Sequence, residues 1–111
     1  VEVVGTNDLG NHDVLSGNHA THYLVPRNYA TQGVIDQLGI MLCEEYDHNW
    51  CDTEFIETAK ARGRFAPCLE SVVEHLHPAW GKAPHDAGYT KSFANEGSDR
   101  VLFQNRRQLW S

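Results

Sequence analysis

The residues best able to do chemistry fall between Tyr46 and His77. Asp52 and Glu54 stand at the predicted start of a helix, where free backbone N–H groups and the helix dipole hold a carboxylate in its ionised, proton-accepting form. The plain alternative is that Asp52 is an N-cap and Glu54 a first-turn acid, worth about 1 kcal/mol together. Tyr46, His48 and Trp50 lie just before the pair, and Trp80 follows downstream. Rings beside a carboxylate make a platform for an uncharged polar ligand such as a sugar.

A second group follows in His75 and His77, which alternate on a predicted strand and so project from one face. His-x-His on a strand is half of a metal site, with the remaining ligands to come from elsewhere. His85-Asp86, Tyr89 and Asn7-Asp8 are the available donors. Seven histidines in 111 residues also make chance pairs common, so solvent-facing imidazoles are the plain alternative here.

These groups need a scaffold. Val1–Val4 is β-branched and reads as a strand cut off at Gly5, and Thr6–His19 is rich in Gly, Asn and Asp and reads as a loop. Ala20–Val25 reads as a central strand stopped by Pro26. The spacing over Asn28–Leu38 predicts a short helix weakened by Gly33, and Ile40–Cys43 is an apolar run leading into the acidic, aromatic loop 44–51. A helix over Asp52–Arg62 places Phe55, Ile56 and Ala59 on one face, and Gly63 stops it. Leu69–Leu76 reads as a strand, Pro78–Gly97 as a long loop, and Arg100–Trp110 as a final helix capped by Ser98 or Asp99. The expected fold is α/β: one domain with a small mixed sheet and flanking helices.

Composition narrows the function. With 41% apolar and 10% aromatic residues the chain is an ordinary globular one, and its net charge is −6. Its basic residues are scattered apart from Arg106-Arg107, so no footprint for nucleic acid exists, and no apolar run is long enough to span a bilayer. Cys43, Cys51 and Cys68 fit neither a disulfide framework nor a zinc knuckle and read as reduced thiols in a cytoplasmic setting, with a Cys43–Cys51 bridge as the alternative.

Cys51-Asp52-Thr53-Glu54-Phe55, followed after about twenty residues by Val72-Val73-Glu74-His75-Leu76-His77, resembles the C-terminal, acceptor-side half of a family-2-like glycosyltransferase of GT-A fold, of the short phage and bacterial kind. The resemblance implies that Asp52 is the base that deprotonates the acceptor hydroxyl, and that His75 helps hold a divalent cation, Mn²⁺ or Mg²⁺, on a nucleotide-sugar diphosphate. The family's Asp-x-Asp strand end occurs nowhere in the 111 residues. The chain is therefore expected to be a piece of a longer protein whose upstream half holds the nucleotide. Two other readings stand beside it: a non-catalytic carbohydrate-binding or phage structural module whose Tyr46, Trp50 and Trp80 stack on sugar, and a metal-dependent hydrolase using His75, His77 and Asp86.

Overall fold

The computed structural model describes residues 1–8, 11–37, 39–73 and 87–110, without the side chains at 87–93 and 95. The elements are β1 (Val3–Asp8), α1 (His12–Leu15), β2 (Tyr23–Leu24), α2 (Arg27–Gln32), α3 (Cys51–Ala61), β3 (Phe65–Val73) and α4 (Ala87–Arg106), followed by a 3₁₀ turn at Arg107–Leu109. They form a small mixed α/β fold in which β1 is the middle strand, antiparallel to β2 and parallel to β3. Among the described residues no helix is long and apolar enough to cross a membrane.

The middle strand is not the expected one. Gly5 lies inside β1 because a Cβ there would sit 2.4 Å from the Cβ of Ala20, so the glycine marks a close approach and not an end. β2 shrinks to a short edge strand at Tyr23–Leu24, with Leu24 78% exposed. On the other side Val3 pairs with Phe65 and Thr6 with Cys68, but Asn7 then pairs with Val72, so residues 69–71 have no partner on β1. The Asn7 amide donates to the Leu69 carbonyl at 3.0 Å across this bulge. Pro67, which cannot donate to a ladder, is tolerated because β3 borders β1 on one side only in this sheet.

α3 is the most regular element and runs one residue earlier than expected. Its end follows the predicted chemistry: Gly63 has φ 69°, its N–H donates to the Lys60 carbonyl at 3.0 Å, and the Arg64 N–H donates to the Ala59 carbonyl at 2.9 Å. That pair of bonds is the Schellman arrangement, and glycine supplies the left-handed residue it requires. α2 stops earlier, at Gln32, because Gly33 adopts φ 83° and its missing Cβ leaves room for the Gln37 carbonyl.

Two buried clusters flank α3. Phe55, Ile56 and Ala59 pack on Val3, Ala20 and Tyr29, with Phe55 stacked on Tyr23 at 4.7 Å and edge-on to Tyr29 at 6.0 Å. Removing such side chains from water stabilises by roughly 1.5–3 kcal/mol for each large one. The second cluster, Val34, Cys43 and Tyr46, is packed against Trp50, Leu102 and Phe103 and joins the 44–51 loop to α4. The final helix, expected over Arg100–Trp110, spans Ala87–Arg106: it begins inside the segment read as a loop, so Ser98 and Asp99 are mid-helix residues and cap nothing of their own helix. Residues 87–97 include Gly88 and Gly97 and lack an apolar stripe. Their helix is continuous with a second half that is anchored by tertiary contacts, which override weak local propensity.

Candidate functional site

The loop before α3 is gripped by α4. Glu54 is fully buried; its Oε1 accepts from the Tyr46 hydroxyl at 2.8 Å and from Arg106 Nε at 2.6 Å, and its Oε2 accepts from Arg106 Nη2 at 2.9 Å. The same guanidinium, 7% exposed, donates to both oxygens of Asp36 at 2.8 and 3.0 Å and to Glu45 Oε2 at 3.0 Å. The bond to Glu54, then that to Asp36, keeps Arg106 firmly protonated, and the bond from Arg106 holds the Asp36 carboxyl below its ordinary range. Burial, then the bond to Glu54, pushes the Tyr46 phenol well above its ordinary value. Paired on both oxygens and shut from water, Glu54 is placed as the buried anchor of an ion cluster whose other acids, Asp36 and Glu45, are exposed. Tyr46 likewise has its ring in the second cluster and its hydroxyl engaged, so it offers no open platform.

A second carboxylate organises the backbone. Asp99 accepts from the amide N–H of Asp47 at 2.9 Å, His48 at 3.0 Å and Asn49 at 2.7 Å. Burial works against its charge, yet the three N–H donors prevail and the carboxyl lies below its ordinary range. His48 is thereby held by its backbone while its side chain is exposed. Trp50 follows as the N-cap of α3 with φ 71°, the only left-handed non-glycine backbone among the described residues. A bulky side chain there costs about 1–3 kcal/mol and persists only where its surroundings over-determine it. The surroundings are again α4, since the indole N–H donates to Glu96 Oε1 at 3.1 Å and the ring lies 4.9 Å from Phe103.

Asp52 is the member of the carboxylate pair left near solvent. It sits in the first turn of α3, half-buried, with Oδ1 accepting from the Thr53 N–H at 2.8 Å, and it is not the cap. Beside this turn opens a cleft of about 400 Å³ lined by Asn11, Asp13, Asn18, His19, Trp50, Thr53, Glu57 and Lys60. Lys60 is already committed, donating to Glu57 Oε1 at 2.9 Å and to the Asn18 carbonyl at 3.0 Å. Asn11 caps α1 by accepting from the N–H groups of Asp13 and Val14, which fixes that wall. Burial lowers the His19 pKa below its ordinary 6.5 and outweighs the opposing pull of Asp52, Asp13 and Glu57. The nearby Tyr23 phenol is pushed up to about 12, first by burial and then by the charge of Asp52.

Of the residues singled out from the sequence, the structure brings Trp50 to this cleft, while Asp52 stands in the adjoining turn outside its lining. His75, His77, Trp80, His85 and Asp86 lie outside the described residues, and so does the end of the strand read over Leu69–Leu76. Tyr89 falls within α4. Asp8 ends β1 opposite Val73, 1% exposed and accepting from the Thr21 hydroxyl at 3.0 Å, at the carboxyl end of the parallel pair. Among the described residues no group of three or more His, Cys, Asp or Glu is arranged to hold a metal ion. Cys43, Cys51 and Cys68 are free thiols, so the Cys43–Cys51 bridge is not formed.

Sequence reasoning missed His19, Thr53, Glu57 and Lys60 as cleft residues, and Asp99 and Arg106 as anchors. One signal was present: Arg106-Arg107 is the sole adjacent basic pair in an acidic chain. No family model, curated protein or solved structure matches the chain.

Proposed function

We propose that this domain binds a neutral, hydroxyl-rich ligand of the sugar class in the cleft at the start of α3. The observation that carries the reading is the cleft's lining, in which hydroxyl, amide, carboxylate, imidazole and ammonium groups surround a single indole. Many hydrogen-bonding groups around one aromatic surface suit a ligand that is polar on its edges and apolar on its faces. Charge supports the same class. Asp13 and Glu57 line the cleft with only Lys60 to offset them, and His19 stays neutral, so an anionic ligand is disfavoured. Three free thiols suit a reducing compartment such as the cytoplasm.

The test is titration with N-acetylglucosamine and maltose followed by amide shifts. Shifts at Asn18, His19 and Thr53 are expected, and Thr53→Val should weaken binding up to about tenfold for the loss of one hydrogen bond. A shift map that avoids these residues for both sugars refutes the reading.

A transfer reaction is the second reading, favoured by the placement of Asp52: an oriented carboxylate in the turn that carries Thr53 into the cleft wall. Here the domain is the acceptor-side half of a GT-A-like glycosyltransferase, the cleft takes the acceptor, and Asp52 takes the proton of its hydroxyl. The nucleotide-sugar donor, being anionic, needs a divalent cation, Mn²⁺ or Mg²⁺, for which His75 and His77 are the proposed ligands; the cation would offset charge on the departing diphosphate. In a transfer assay on the full-length protein, Asp52→Asn should lower turnover by about 10²–10⁴ with donor affinity nearly unchanged. Retained turnover leaves binding alone.

A further inference from the structure

Trp50 belongs to two structures at once. It is a wall of the cleft, its ring also packs on the Val34, Cys43 and Tyr46 cluster, and its carbonyl accepts the Glu54 N–H at 2.9 Å. As N-cap of α3, however, it makes no side-chain capping bond, and its backbone is left-handed at φ 71°. The hydrogen bond to its indole and a further ring partner come from α4. Glu96 accepts the indole N–H at 3.1 Å, Phe103 faces the ring at 4.9 Å, and Asp99 accepts the N–H groups of the three residues that precede it. Glu96, Asp99 and Phe103 are spaced i, i+3 and i+7, so a single stripe of α4 presents all three.

We infer that α4 assembles the cleft by holding Trp50 in a conformation its own segment does not favour, with Glu96 and Asp99 as positioning residues. Ligand in the cleft and docking of α4 are then coupled, and the coupling is reciprocal: whatever loosens the helix weakens the ligand, and the ligand tightens the helix. The ligand half of this statement rests on the cleft being the sugar site. The assembly half does not.

The experiment is hydrogen exchange and amide chemical shifts on the protein and on Glu96→Ala, Glu96→Gln and Asp99→Ala. Glu96→Ala should speed exchange of the Trp50 indole N–H by about tenfold, the worth of one lost hydrogen bond to a charged acceptor, and shift the Asn18 and Thr53 amides. Glu96→Gln keeps an acceptor oxygen and should restore both, while Asp99→Ala should release the amides at 47–49. Val4 and Ala66 in the sheet should keep their shifts throughout, which separates positioning from general loss of stability. N-acetylglucosamine should slow indole exchange in the unmodified protein and bind Glu96→Ala about tenfold more weakly. Unchanged indole exchange and cleft shifts in Glu96→Ala, or failure of Glu96→Gln to restore them, overturns the inference. If the variants behave as expected while N-acetylglucosamine has no effect anywhere, assembly by α4 stands and the sugar site falls.

Discussion

The two faces of α3 are held by opposite physics. Toward the sheet it presents Phe55, Ile56 and Ala59, which touch Val3, Ala20 and Tyr29 and contribute through removal of apolar surface from water. Toward α4 it presents Glu54, whose partner Arg106 is 52 residues away and whose other bond is to Tyr46. The apolar face tolerates any packing of about the right volume, whereas the ionic face works only if the buried Glu54 carboxylate keeps its counter-charge. One face makes the fold stable. The other fixes where the C-terminal helix sits, and with it the geometry of the loop and cleft.

The sharpest way to break this contrast is to damage each face in turn. Phe55→Ala should cost about 3–5 kcal/mol of global stability in denaturant melts, since it removes both a large apolar surface and two ring contacts. Arg106→Ala should cost a similar amount, about 3–5 kcal/mol, because it strands the buried Glu54 carboxylate. The two differ in kind. Arg106→Ala should strip exchange protection from the 44–50 segment and α4 first, while Phe55→Ala should lower protection everywhere at once. Equal patterns in both variants would mean that α3 and α4 unfold as one unit.

A smaller change sharpens the ionic side. Tyr46→Phe keeps the ring in its cluster and deletes only the hydroxyl that donates to Glu54 at 2.8 Å, so a loss of about 1.5–3 kcal/mol is expected in the same melts. A loss near zero would show that Arg106 alone satisfies the carboxylate.

The smallest effect is one of pH. His19 has its folded pKa lowered below 6.5, so the unfolded chain binds the proton more readily; its contribution is complete above about pH 6.5 and declines as pH falls below that value. Asp36 and Asp99 have folded pKa values below the ordinary 3.8, so their stability is present above that value and is lost only as pH falls through the lower, folded one. Melting temperature against pH should therefore fall in two windows, and His19→Gln should remove the upper one. If the upper slope survives in His19→Gln, another group titrates there.

About half of the framework was legible, and the legible half is local. The apolar spacing of Phe55, Ile56 and Ala59 identified α3 and its packing face, Gly63 marked its stop, and β-branched runs located β1 and part of β3. Strand ends were missed where a neighbour decided them: Gly5 looks like a terminator until Ala20 is seen to occupy the space its side chain would need. Of the proposed site, Trp50 was legible as a ring at a helix start, and Asp52 as a carboxylate in the turn beside it. The division of labour within the carboxylate pair was not, because Asp52 and Glu54 differ in nothing local. Their fates were separated by Arg106, whose side chain reaches one of them and not the other.

By itself, then, the sequence determined the elements whose signals lie within a few residues: period, cap chemistry and the conformational freedom of glycine. Only the tertiary structure decided which polar residues are anchors and which face the cleft. The bonds that decide it span 50 residues from Asn49 to Asp99 and 52 from Glu54 to Arg106, and a charged side chain carries no local mark of the partner that will neutralise it. Burial makes that choice, because a carboxylate shut from water must find its counter-charge wherever the fold brings one.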